Sequence, residues 1–239
     1  MPRNRRRAKA RPFLRQLYEE WYARLIYEMK WLPSGMMIEL GAGGGFLKDL
    51  APMVVCTDSL PLPTNDLTFS PVSMPFNAES VSGIFMIDTF CDLPDTRGFL
   101  TEANRVLTPG GKIIMIEPAC SYWGRLAGFI FDRRKFNLAG GWSDGIDDSS
   151  EEINYALAWI VFERDRSVLA KAYPEFSVES ITYHTPLRYF LGGGNRFDHE
   201  LVPFSGFSFF SRADDWLAGV SPHWSTFMTV VVRKSSQLR

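Results

Sequence analysis

Between Met36 and Glu117 the chain alternates short apolar runs with longer segments of helical character, and that alternation admits few folds. "MMIEL" (36–40), "MVVCTD" (53–58), "SGIFMID" (82–88) and "KIIMIE" (112–117) read as strands, with "DLTFS" (66–70) as a shorter one. "TRGFLTEANRVL" (96–107) carries a Phe/Leu/Val stripe at helical spacing, and "TPGG" (108–111) reads as the turn that follows it. Strands and helices exchanging at this interval predict an α/β fold, a mostly parallel sheet with helices on both faces. The uninterrupted apolar character of the strands agrees with burial on both sides.

The second constraint sits at the end of the first strand. In "MMIELGAGGGF" (36–46) four of five consecutive residues are glycine, immediately before a predicted helix that runs to about Leu50. Such a turn lets a ligand approach the backbone where a Cβ would collide, and the helix start offers free N–H groups. The spacing at Gly41, Gly43 and Gly45 is GxGxG, with Phe46 where a dinucleotide fingerprint has its third glycine. Glu39 precedes the loop, and a fixed carboxylate favours an ammonium group over an anion. Asp58 ends the second strand, where an acid can accept both hydroxyls of a ribose. The pair suits an amino acid joined to a nucleoside, S-adenosylmethionine, better than NAD.

Composition narrows the classes. A net charge of −1 disfavours a general nucleic-acid binder, although seven Lys/Arg and no acid stand between Met1 and Arg15. Cys56, Cys91 and Cys120 are widely spaced, with no CxxC pair, so a reducing cytoplasm is expected and no metal site. The basic start is not followed by an apolar h-region, and no run approaches the ~18 apolar residues of a spanning helix.

"IELGAGGG", the acid in "VVCTDS", "SMPFNAESVSGIFMIDTFCDLPD" and "FLTEANRVLTPGGKIIMIEP" together resemble the class I S-adenosylmethionine-dependent methyltransferases, in particular the small-molecule group with an LPF-type segment and a PGG turn. The likeness covers roughly residues 36 to 118. More loosely, "NYALAWIVFERDR" and "RYFLGGG" are similar to a bacterial subset associated with polysaccharide and glycolipid synthesis. The resemblance implies a Rossmann-like seven-stranded sheet whose last strand, about 225–233, runs antiparallel at the edge. It implies that Glu39 and the loop Gly41, Ala42, Gly43 and Gly45 border the methionine part of S-adenosylmethionine. Asp58 would hold the ribose, Ser59 would neighbour the adenine, and Ser70, Pro71 and Val72 would flank its edge. Met86, Ile87 and Asp88 would sit beneath the sulfonium. Three positions depart from the common pattern: Ser70 and Ser82 stand where Asp is frequent, and Asp92 where His is.

On this reading residues 1–33 form a basic tail and an amphipathic helix (Pro12 to Trp31) whose aromatic face packs on the main domain or forms part of a lid. Residues 34–239 form the methyltransferase domain, with a nucleotide-binding core at about 34–120 and a less regular cap at about 121–222. Within the cap, Tyr122 to Phe131 reads as helix and "AWIVF" as strand or buried helix. Ser149 and Glu152 are spaced as a capping box, and "FSVESITYH" reads as a strand. "LGGGNRF" (191–197) reads as a flexible loop over the substrate, and "VPFSGFSFF" (202–210) as acceptor-pocket wall, membrane-facing patch or cap core.

Methyl transfer to a hydroxyl needs a base. Of the three histidines, His184 at the end of a predicted strand is the first candidate, and Asp88 the other. The expected acceptor is a small molecule, an oxygen of a sugar or glycolipid. Two alternatives stand beside it: a non-catalytic binder of S-adenosylmethionine or a nucleotide, and an RNA methyltransferase using the basic tail. A nucleic-acid partner is not favoured, because "IDTF" replaces the NPPY-like sequence of base-amine methyltransferases; a peripheral membrane contact is compatible with the aromatic cap.

Overall fold

A computed structural model describes residues 10–142 and 153–236. Among these, seven strands form one sheet in the order β3-β2-β1-β4-β5-β7-β6. They are β1 (Met36–Leu40), β2 (Val55–Asp58), β3 (Leu67–Thr68), β4 (Val81–Ile87), β5 (Leu107–Pro118), β6 (Phe176–His184) and β7 (Phe227–Lys234). Strands β1 to β5 pair in parallel, and β7 is antiparallel to both β5 and β6. The reversed strand therefore lies one place in from the edge, with β6 outside it.

Every residue of β4 is buried, and the central strands separate two apolar cores. One core contains Met86 and Met115 with helix α3 (Thr96–Val106), whose Phe99, Leu100, Ala103 and Val106 form the stripe read from the sequence. The opposite core contains Phe85, Ile87, Ile114 and Ile116 and receives helix α1 (Pro12–Met29). Alternation along one strand sends neighbouring side chains to opposite faces. Asp95 caps α3 by accepting from the Gly98 N–H at 2.7 Å.

Helix α1 lies deep in its core. Trp21 is 1% exposed, packs 4.5 Å from the Phe227 ring and donates its indole N–H to Thr185 Oγ1 at 3.1 Å. The Lys112 ammonium, buried on β5, pairs with Glu28 of α1 at 3.1 Å and with Glu179 of β6 at 2.9 Å, joining helix and sheet.

Several expectations are sharpened. "TPGG" is an excursion within β5, not a turn before it: Leu107 pairs with Val81 and Lys112 with Gly83, leaving the four residues between them looped out, with Gly110 at φ 81°. "AWIVF" is helical, in α5 (Leu157–Trp159) and a following wide turn, Ile160–Arg164, whose apolar side chains are buried beside α3. Helix α4 (Tyr122–Ala127) continues into a second wide turn, Gly128–Asp132. Helices α6 (Arg166–Ala172) and α7 (Arg188–Leu191) follow, and "VPFSGFSFF" begins helix α8 (Phe207–Val220). The proposed capping box at Ser149 and Glu152 lies outside the described residues.

Because Trp21 fills the junction of α1, β7 and the segment after β6, Trp21→Ala is expected to cost about 3–5 kcal/mol, read as a lowered urea midpoint.

Candidate functional site

The C-terminal ends of β1, β2 and β4 open into a cavity of about 260 Å³, slightly under the ~300–1,000 Å³ usual for ligand pockets. In an open parallel sheet this edge, where strand order reverses, is where ligands collect. Here the reversal falls between β1 and β4, which are neighbours in space but not in sequence.

Of the residues singled out from the sequence, Gly41, Gly43, Asp58, Ser59, Ser70, Pro71 and Asp88 line this one cavity. The glycine loop is shaped for close approach. Gly41, Gly43 and Gly45 all have left-handed backbone, and a Cβ on Gly41 would fall 2.5 Å from Thr89 Oγ1. The Asp58 carboxylate is held at the end of β2 by two backbone donors, the Gly43 N–H at 3.4 Å and the Leu60 N–H at 3.1 Å. One N–H on each oxygen fixes its direction and keeps acceptor capacity for adjacent hydroxyls.

Other expected residues sit behind the wall. Glu39 is fully buried beneath the loop, where it accepts from the Tyr22 phenol of α1 at 2.9 Å. Ala42 is buried and donates its N–H to the Thr57 carbonyl at 2.9 Å; Gly45 stands at the start of α2 (Phe46–Leu50). Met86 and Ile87 point into the two opposite cores, and Val72 packs on the α3 side. Met86 and Ile87 do not line the cavity, because strand alternation turns them away from its mouth, and Val72, in the turn after β3, packs against the α3 core instead.

His184 does not line the cavity either. It is 5% exposed, and its ring nitrogens lie 2.8 Å from Thr185 Oγ1 and 2.9 Å from Thr229 Oγ1. Burial, with Arg24 and Arg188 nearby, pushes its pKa well below the ordinary histidine value. It is a neutral core histidine between β6 and β7, not a residue placed to take a proton from a ligand in this cavity.

Asp88 is at the mouth with φ 49°, a strained conformation for a residue other than glycine. Its partner gave no signal in the sequence: Arg134, 2% exposed, donates from Nη2 to Asp88 Oδ2 at 3.1 Å and to the Tyr189 hydroxyl at 2.9 Å, and from Nε to Asp132 at 2.9 Å. The adjacent carboxylates hold Arg134 charged despite its burial. Asp132 also accepts from the Asn195 N–H at 2.9 Å, and Asn195 lines the cavity. Arg11 donates to the carbonyls of Gly192, Gly194 and Phe197, so the 191–197 segment is pinned from two sides rather than loose. Tyr18 of α1 completes the wall, stacked 5.5 Å from the Phe46 ring. The aromatic stripe of α1 hinted at Tyr18; nothing in "DRRKF" marked Arg134.

Carboxylates dominate the electrostatics. Asp92 lines the cavity, and burial, then the charge of Asp88, raises its pKa. Glu117 lies fully buried behind Asp88 and caps the next turn, accepting from the N–H groups of Thr89, Phe90 and Cys91 at 2.8, 2.7 and 3.3 Å. Burial and Asp88 outweigh those donors and push its pKa up to about 7. Donor atoms of Asp88, Cys91 and Glu117 lie within 4.8 Å of one another. Yet Arg134 already supplies the positive charge there, and burial keeps the Cys91 thiol protonated.

Residues 49–115 match the family model described as a methyltransferase domain. An S-adenosylmethionine-dependent methyltransferase from Archaeoglobus fulgidus superposes with a TM-score of 0.52 at 12% identity, covering 90% of this chain and 94% of that one. The YcgJ protein of Bacillus subtilis gives 0.53 at 11% identity, covering 92% and 100%. At such identities the likeness is one of fold, and its coverage extends well beyond residues 49–115. No curated protein matches the sequence.

Glu117 makes stability pH-dependent. Its folded pKa near 7 exceeds the ordinary 4.5, so between these values the folded protein holds a proton that the unfolded chain has lost. Stability is expected to fall as pH rises through that window, by up to about 3 kcal/mol from this group. Glu117→Gln should flatten the slope in urea titrations at a series of pH values. Separately, Arg134→Met leaves Asp88 and Asp132 buried without their cation, and should cost about 3–5 kcal/mol in the same assay.

Proposed function

We propose that the chain transfers a methyl group from S-adenosylmethionine to a small-molecule acceptor, an oxygen nucleophile of a sugar or glycolipid. One observation carries the cofactor assignment: Asp58, oriented by the Gly43 and Leu60 N–H groups, faces the same cavity as the left-handed glycine loop. On this reading Asp58 accepts the two ribose hydroxyls, and Ser59, Ser70 and Pro71 border the adenine. The Gly41 and Gly43 backbone flanks the methionine part, with Glu39 and Tyr22 supporting that loop from below. A cavity edged by Asp58, Asp88 and Asp92, with one guanidinium behind it, suits a ligand that carries positive charge.

When bound, S-adenosylmethionine supplies a methyl carbon activated by positive sulfur. The chain's residues align the acceptor and exclude water. Tyr18 and Asn195 close the cavity from α1 and the cap, and either could border an acceptor. A hydroxyl acceptor taking that methyl group would have to give up its proton to a group of the chain. Asp92 is the carboxylate we assign to that proton: it lines the cavity and its raised pKa makes it a stronger base than an ordinary aspartate. Asp88 is the second choice, because its charge is engaged by Arg134.

Isothermal titration tests the cofactor assignment. S-adenosylmethionine and S-adenosylhomocysteine are expected to bind in the micromolar range and NAD not at all. Asp58→Ala should weaken binding ~10- to ~100-fold, the cost of losing charged hydrogen bonds to two hydroxyls. No binding of either sulfur nucleotide would sink the proposal; binding without turnover across a sugar and glycolipid screen would leave a non-catalytic cofactor-binding protein.

A further inference from the structure

The cap carries a ridge that the cavity chemistry does not use. Along α4 and its continuation, Tyr122, Leu126, Phe129 and Ile130 are 71%, 53%, 69% and 46% exposed. Their spacing places them on one helical face. The opposite face cannot be exchanged for it: Gly124 and Gly128 are buried, and a Cβ on Gly124 would fall 2.4 Å from the Ala119 carbonyl. The helix thus sits flush on the body of the protein through its small residues and turns its large apolar ones outward. His223, 5.3 Å from the Tyr122 ring, and Trp224, 6.1 Å from the Trp123 ring and 44% exposed, extend the patch across the α8–β7 connection.

The charged side chains that the ridge's own stretch turns outward are arginines, and Arg196 joins them. Arg125 lies over the Tyr122 ring at 5.3 Å, Arg133 is exposed at the end of the wide turn, and exposed Arg196 donates to the Ile130 carbonyl. The acid of this stretch, Asp132, is turned inward against Arg134, with its side chain only 1% exposed. A convex apolar helix face with aromatic ends and a cationic rim matches an anionic bilayer surface, where apolar side chains enter below the headgroups and arginines meet lipid phosphates.

We propose that the α4 ridge docks this protein peripherally on an anionic lipid bilayer, with Leu126, Phe129 and Ile130 inserted and Arg125, Arg133 and Arg196 against the phosphates. Asn195, which lines the cavity, precedes Arg196 in the chain, so docking sets the cavity mouth close to the membrane plane. The docking itself does not depend on the methyl-transfer reading. No helix among the described residues is long and apolar enough to cross a membrane, so the contact is one of surface insertion.

Vesicle co-sedimentation of the full chain tests this, using phosphatidylcholine alone and phosphatidylcholine with ~30% phosphatidylglycerol. The protein is expected to sediment with the anionic vesicles and to be released as salt rises from ~0.1 to ~1 M. Leu126→Ser with Phe129→Ser should lower the bound-to-free ratio about tenfold or more, and Arg133→Glu should lower it on anionic vesicles only. Both sites are exposed, so the thermal midpoint should stay unchanged and exclude misfolding as the cause. The proposal fails if the protein ignores both vesicles. It also fails if sedimentation is insensitive to the double variant, which would place the contact elsewhere, for instance on the basic N-terminal segment. A change in particle size by light scattering with no dependence on lipid would make the ridge an interface between copies and overturn it equally.

Discussion

A guanidinium buried at the C-terminal edge of the sheet holds the cap to the cavity. Arg134 comes from the segment after α4, yet its partners are Asp88 at the end of β4, Asp132 beside it and Tyr189 of α7. Removing three charges from water is costly, and only close geometry with complementary hydrogen bonds offsets it. The arrangement works because Arg134 Nε and Nη2 and the Tyr189 hydroxyl each meet a carboxylate, and the Asn195 N–H meets the remaining oxygen of Asp132. It also fixes the backbone of Asp88 in a conformation that an isolated aspartate would avoid. The wide turn Gly128–Asp132 belongs to the same solution: the extra residue in that turn re-aims the chain so that Asp132 and Arg134 both reach inward.

The parts of the fold legible in the sequence were those set by local pattern. Apolar runs five to seven residues long became β1, β2, β4 and the later part of β5, and the Phe/Leu/Val stripe became α3. The glycine loop and Asp58 were legible for a stronger reason, since left-handed backbone and a strand-end carboxylate are demands that few residue types satisfy. What escaped was set by long-range contact. The order of β6 and β7 depends on pairings far along the chain, and "VPFSGFSFF", open in the sequence between pocket wall, membrane-facing patch and cap core, starts a helix at Phe207. Arg134 is surrounded by other basic residues, and only tertiary structure distinguishes the buried one. His184 shows the converse error: a histidine at a strand end is chemically suggestive, but two threonine hydroxyls and burial satisfy it inside the core.

The cavity wall is assembled from both ends of the chain. Tyr18 stacks on Phe46 directly after the glycine loop, Tyr22 reaches the carboxylate beneath it, and Arg11 grips the three-glycine segment that carries Asn195. Helix α1 is thereby a structural member of the site. Displacing it would disturb the loop, the wall and the cap together, because the same helix touches all three.

The placement of β7 bears on how the protein is made. That strand lies between β5 and β6 and pairs with each along most of its length. Even the contact that closes the start of α4, from the Ser121 hydroxyl to the Ser225 carbonyl, spans 104 positions. On the ribosome, therefore, β5 emerges with its outer edge bare and stays so through the synthesis of the entire cap. The nascent chain holds the glycine loop, Asp58, Asp88 and Arg134 long before it has the strand that joins the two sides of the sheet. Completion of the sheet is thus a late event in the protein's biogenesis, and the unpaired edge of β5 is the surface that must be kept from other chains until then.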